Sequence, residues 1–297
     1  MNRIKDQIRC GAAYRLGLTG KGIGVAGLDT GIFLHRDFDS RVTGFADMVN
    51  GKTFAYDDCG HGTHICGIIG GSGRMSGGRY SGIAPGCDLV MVKVLDRRGN
   101  GYSSDVLAGI SWILERKEKL GIRILNISVG ACSKRGMSEN SALVKGVNRA
   151  WDAGLVVVVA AGNNGPRTMS ITTPGISRKV ITVGCSDDDR EVLVGGNRMV
   201  DYSGRGPTAA CICKPDLVAP GCSVVSCAGR ADKYTIKSGT SMSTPIVSGA
   251  TALLLERYPD MTNKDVKLKL RESCTDIGLP RNQQGWGLLD VEKLVSK

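Results

Sequence analysis

The sequence predicts an α/β fold: one three-layer domain built on a mostly parallel, doubly wound sheet. Two observations carry this expectation. Short apolar runs alternate with longer helical patterns along the chain. Those runs are also near-continuous in apolar residues, as in strands covered on both faces, whereas half-exposed strands alternate. The 297 residues, 41% hydrophobic, can bury a large core within one unit. No repeat, low-complexity tract or linker divides them, so an N-terminal segment over 1–20 is expected to lead into one domain over 21–297.

Buried strands are expected at 23–29, 89–95, 122–128, 155–160 and 180–185. A helix over 104–119 opens on serines and an aspartate that can cap it, and one over 140–153 ends at Gly154. His61 opens a helix running through His64 and Cys66. A long helix starts at Ser241 and reaches about Tyr258, with Pro245 tolerated in its first turns. Thr262 and Asp265 form a capping-box variant, Asp in place of Glu or Gln, that opens a helix ending near Ser273.

Composition excludes several function classes. The formal charge is +11, yet Lys93, Arg97, Arg98, Arg116, Lys117 and the other basic residues are scattered. They form no run and are not interleaved with aromatics, so a solvated basic surface is expected, with no nucleic-acid partner. No apolar stretch is long enough for a membrane span, and the first ten residues lack the apolar core of a secretory signal. Eleven cysteines cannot all pair in one chain. Cys66, Cys87 and Cys185 lie in apolar or glycine-flanked runs, where cysteine behaves as a small buried hydrophobe. Free thiols in a cytoplasmic setting are therefore expected over secretion, with a Cys222–Cys227 bridge as the alternative.

Three glycine-rich phrases carry the chemistry: Gly-Leu-Asp29-Thr-Gly, Gly-His61-Gly-Thr-His and Gly-Thr-Ser241-Met-Ser-Thr-Pro. A serine hydroxyl becomes a useful nucleophile when an imidazole takes its proton and a carboxylate fixes that imidazole. Asp29 ends the first strand, where open α/β sheets place functional groups. Ser241 begins a helix whose unpaired amides favour a negative oxygen. Taken singly, Asp29 reads as a turn and His61 or Ser241 as a cap. Together, in this order, with Asn163 between them, they point to a hydrolytic site.

These phrases resemble the three signatures of the subtilases, the subtilisin-like serine proteases. The likeness runs from about Leu16 to about Leu289 and includes Gly-Ile-Ala-Pro-Gly at 82–86, Ser-Gly-Arg-Gly-Pro-Thr at 203–208 and Lys-Pro-Asp-Leu-Val-Ala-Pro-Gly at 214–221. The branch resembles bacterial members without secretion signals. The resemblance implies a serine endopeptidase acting through an acyl-enzyme. Ser241 would attack, His61 would shuttle the proton, Asp29 would orient the imidazole, and Asn163 would donate to the oxyanion. It also implies a polypeptide substrate clamped between two strand edges, Gly99, Asn100 and Gly101 on one side and Ser128, Val129 and Gly130 on the other. Residues 165–175 would line the pocket for the residue before the cleaved bond, with a preference for apolar or large side chains. No cofactor is implied for the chemistry. Structural calcium is common in the family, and Asp37 and the Asp187, Asp188, Asp189 cluster are the places to look.

Other readings are weaker. Gly22-Ile-Gly24-Val-Ala-Gly27 fits a dinucleotide fingerprint, but its glycines fall before and inside the apolar run. Cys59, His61, His64 and Cys66 have a compact zinc-like spacing that leaves Asp29 and Ser241 unexplained. His64 fits a structural role beneath His61, and Cys66 is close enough to His61 in sequence to sit behind it, where a mercurial would slow the enzyme. An α/β-hydrolase needs the order Ser, acid, His and a Gly-x-Ser-x-Gly that is absent here. A subtilase-fold protein that binds without cutting is the rival outside catalysis.

Overall fold

A computed structural model describes residues 1–130 and 139–296. Its centre is a seven-stranded sheet of β1 (Gly24–Asp29), β2 (Val42–Asp47), β3 (Asp88–Lys93), β4 (Ile122–Ile127), β5 (Val156–Ala160), β6 (Ile181–Cys185) and β9 (Leu217–Ala219). Two small antiparallel hairpins lie outside it: β7–β8 (Val192–Val194 with Asn197–Met199) and β10–β11 (Val224–Cys227 with Tyr234–Lys237). Every pairing in the large sheet is parallel, in the order β2-β3-β1-β4-β5-β6-β9. From β1 the chain passes out to the edge strand β2 and back to β3, then crosses β1 and winds the other way from β4 to β9. The carboxyl end of β1 is thus a topological switch point, where such sheets open a crevice.

Helices cover both faces, as the doubly wound expectation requires. α3 (His61–Gly70) packs on β1, β3 and the long α6 (Thr240–Arg257), which also covers β4, β5, β6 and β9. α4 (Ser103–Arg116) and α5 (Ala142–Asp152) pack on each other and on β1 and β5. α6 is buried along nearly its whole length. Its hydroxyls are satisfied inward: Thr244 and Thr251 each donate to the carbonyl four residues back, at 2.8 Å. α7 (Asn263–Ser273) has the expected capping box, with Asp265 taking the Glu role. α1 (Asn2–Gln7) and α2 (Gly11–Arg15) bury Ile4, Ile8, Cys10 and Ala13 in the main core beside α9 (Val291–Val295).

The expected central strands form, with trimmed ends. β2, β9 and both hairpins were not anticipated. β2 is a half-buried edge whose Val-Thr-Gly-Phe carries no continuous apolar run. Lys93 departs from its sequence reading as a solvated basic residue. It is fully buried, and its ammonium donates to the Thr30 and Leu95 carbonyls at 2.7 and 2.8 Å and to Asp58 at 2.7 Å. Gly24 and Gly27 lie inside β1, so the fingerprint forms no phosphate-binding turn. All ten described cysteines are free. Cys222 and Cys227 do not bridge: Cys222 Sγ meets the Tyr202 hydroxyl at 3.0 Å, while Cys227 Sγ lies 3.7 Å from Asp37. Among the described residues, no helix is long and apolar enough to cross a membrane.

Candidate active site

Asp29 is the last residue of β1 and is buried. Its Oδ1 accepts from the Thr30 amide at 2.8 Å and from His61 Nδ1 at 2.7 Å. α3 must lie almost on the β1 turn to make that contact. Gly62 permits it: a Cβ there would stand 2.2 Å from the Gly31 carbonyl oxygen. Because Nδ1 donates to Asp29, the other ring nitrogen of His61 is left as an acceptor in the cleft. The ring is 23% exposed. Burial pulls its pKa down, but the charge and hydrogen bond of Asp29 outweigh burial and hold it above the ordinary 6.5.

Asp57, which sequence reasoning passed over, organises this corner. One oxygen accepts from the amides of Cys59 and Gly60 and from the Thr30 hydroxyl. The other accepts from the amide and hydroxyl of Thr63. Burial pushes this carboxyl up, yet the hydrogen bonds from Thr63, Gly60 and Cys59 bring it below its usual value. An aspartate four residues ahead of a helix start was the available signal. His64 is buried, and its Nε2 lies 3.1 Å from the Val224 carbonyl and 3.3 Å from that of Thr235, so Nε2 carries the proton. Burial and the positive charge of Lys237 depress its pKa to about 3. His64 is thus a neutral tie between α3 and the β10–β11 hairpin. Since His61 and His64 are engaged with different partners and Cys66 is buried, the zinc-like spacing does not converge. Burial keeps the Cys66 thiol protonated and out of reach of a mercurial.

Ser241 enters the same cleft from the first turn of α6. Gly239 before it sits at φ 140°, which favours glycine. In the first turn the Ser241 amide has no helical carbonyl to pair with. Asn163, after β5, is aimed by its carbonyl end: Oδ1 accepts from the amide and hydroxyl of Thr240, each at 3.0 Å. That assignment leaves the Asn163 NH₂ as the free donor beside the Ser241 amide. The Ser241 hydroxyl does not bond His61. It donates to the Ser128 carbonyl at 2.7 Å. Serine has three staggered χ1 positions, so the hydroxyl is not confined to this bond.

Together these residues line a cleft of about 470 Å³ with Gly99, Ser128, Val129, Gly130, Gly162 and Thr172. Ser128, Val129 and Gly130 continue from β4 as one wall. Gly99, Asn100 and Gly101 follow a turn at 97–98 and lie outside any named strand. Asp96 bonds both backbone groups of Asn100, accepting from its amide at 2.9 Å and donating to its carbonyl at 2.7 Å. This turn borders an apolar pocket with Leu95, Tyr102, Val106 and Ile127. Within 165–175, Thr172 reaches the cleft.

Asp37 and Asp187, two of the expected calcium positions, do not offer the all-oxygen cage that calcium takes. Asp37 accepts from the Tyr234 hydroxyl at 2.6 Å and the Met75 amide at 2.9 Å, and its other neighbours are His35 and Cys227. Asp187 accepts from Arg3 and the Gly221 and Cys222 amides, beside Cys185 and Cys222. Nitrogen and sulfur donors crowd both places.

Comparison with known proteins places the chain in a family. Residues 20–287 match the sequence profile of the Subtilase family. "Serine protease AprX" of Bacillus subtilis (strain 168) is 42% identical over 292 residues, 93% of this chain and 65% of that protein, so the chain spans about two thirds of that relative. "Subtilisin BL" of Lederbergia lenta is 34% identical over 97% of this chain and 96% of its own length. Among solved structures, Sphericase superposes with a TM-score of 0.79 at 31% identity, covering 92% of this chain and 93% of its own. A cold-adapted subtilisin-like serine proteinase superposes with a TM-score of 0.75 at 28% identity, covering 92% and 90%. The chain belongs to the subtilase family.

Proposed function

We propose that this protein is a serine endopeptidase that hydrolyses polypeptides through an acyl-enzyme. The observation that carries this reading is the Asp29–His61 hydrogen bond, which turns an acceptor nitrogen toward the cleft that Ser241 enters. Ser241 Oγ attacks the scissile carbonyl as His61 takes its proton. Asp29 stabilises the imidazolium without becoming protonated. The carbonyl oxygen becomes an oxyanion, held by the Asn163 NH₂ and the Ser241 amide. His61 then gives its proton to the leaving amine, and water repeats the sequence on the acyl-enzyme. The Ser128 carbonyl, which accepts from the Ser241 hydroxyl, is also the acceptor an extended substrate amide would use. Substrate binding there would free the hydroxyl to turn to His61.

None of these roles needs a cofactor. Small residues around Thr172 leave room for a large or apolar side chain before the cleaved bond. The free thiols support a reducing, cytoplasmic setting. A fluorophosphonate probe tests the central claim, since it reacts only with an activated serine. Stoichiometric labelling at Ser241, with peptide turnover falling about 10⁶-fold in Ser241→Ala, is expected. An unlabelled Ser241 in folded protein would favour a binding role, the reading suggested by the hydroxyl facing Ser128.

A further inference from the structure

Beyond His61, on the side away from the Ser128–Gly130 wall, the cleft continues into a second groove of about 730 Å³. The two share Cys59 and Lys237. In the mechanism above, the imidazole hands its proton to the departing amine. The groove past His61 therefore receives the substrate residues that follow the cleaved bond. Its walls are the 57–60 segment before α3 and the β10–β11 hairpin with its 228–233 turn.

The charges here are not balanced. Asp57 is held by five internal donors. Asp58 pairs with the buried Lys93 at 2.7 Å. Asp232, on the hairpin turn, pairs with Arg36 at 3.0 Å. Arg230, Lys233 and Lys237 line the groove and make no ion pair among the described residues. These acidic groups are thus already partnered, while three cations without an ion pair among the described residues line the groove. The hairpin is also held in place: His64 Nε2 meets carbonyls on both its strands, and the Ser226 hydroxyl donates to the His64 carbonyl at 2.9 Å. Lys237 consequently stands at a fixed position between the reacting centre and the two outer cations.

We propose that Lys237, with Arg230 and Lys233, makes this groove a subsite for acidic side chains in the first two positions after the cleaved bond. The inference rests on the endopeptidase reading and adds to it the chemistry of the substrate's leaving half. Cation and carboxylate would meet in a solvated groove, so the preference is set by long-range attraction and weakens with salt.

The test uses internally quenched peptides identical up to the cleaved bond and carrying Asp, Ser or Lys at the next two positions, with products located by mass spectrometry. At low salt the Asp peptide is expected to exceed the Lys peptide in kcat/KM by about ten-fold, and the gap should close in 1 M NaCl. Within Lys237→Glu the ratio of Asp to Lys peptides should invert, and Arg230→Glu/Lys233→Glu should reduce it. An Asp-to-Lys ratio near one in the wild type, or the same ratio in Lys237→Glu, would overturn the inference. Failure to cleave any of the three peptides, with no fluorophosphonate labelling, would instead count against the endopeptidase reading beneath it.

Discussion

Asn163 shows how one side chain is aimed by its less reactive end. Because Thr240 donates twice to its carbonyl oxygen, the NH₂ group has one orientation, set before any charge develops. Asn163→Ala should lower kcat about 10²–10³-fold with little change in KM, as measured by steady-state peptide hydrolysis. His61 gives a pH prediction. The base must be unprotonated to act, and its pKa lies above the ordinary 6.5 because Asp29 outweighs burial. Activity should therefore be lost as pH falls through a midpoint above 6.5. In Asp29→Asn that midpoint should move down while kcat falls about 10⁴-fold. A kcat/KM profile in which the acid limb stays put in Asp29→Asn would contradict this. That Asp29, His61, Ser241 and Asn163 converge on one cleft was legible from their flanking residues. The direction of the Ser241 hydroxyl was not, because a rotamer depends on what the folded neighbours offer.

Among secondary-structure elements, legibility followed burial. β1, β4, β5 and β6 are covered on both faces and wrote continuous apolar runs into the sequence. β2 and the β10–β11 hairpin are partly exposed and wrote none, although that hairpin carries Lys237 and walls a groove. α3 was recognised by its histidines, but the device that seats it, Asp57, lies outside the helix and acts through tertiary hydrogen bonds. Lys93 misled for a related reason. A lysine in an apolar run gives no sign of whether carbonyls wait for it at the strand end. Lys93→Met would strand the Thr30 and Leu95 carbonyls and leave Asp58 unpaired, and should destabilise the fold by about 3 kcal/mol in denaturant unfolding. A change within 0.5 kcal/mol would mean that water or a neighbour replaces it readily.

For the molecule as a whole, thiol chemistry follows from packing. Burial raises the thiol pKa of Cys10 and Cys87 to about 12 and drives that of Cys66 and Cys185 well above the ordinary value. Only Cys59, Cys211 and Cys213 are exposed among the described cysteines. Titration of native protein with a thiol reagent should show about three fast-reacting groups from these residues, with the buried thiols of Cys10, Cys66, Cys87, Cys185, Cys222 and Cys227 appearing only on unfolding. Stable disulfides in protein prepared without oxidant would refute the reduced, cytoplasmic reading. The sequence by itself determined the layered α/β class and pointed to Asp29, His61, Asn163 and Ser241, which the fold brings to one corner. Apolar runs report burial on both faces, and Gly62 in the His61 phrase sits where backbones crowd. Tertiary structure alone decided that Lys93 is internal, that Asn100 is consumed by its own turn, and that three cations line one groove. Each of these depends on which distant partner takes up a charge or a hydrogen bond, and chain order does not encode that locally.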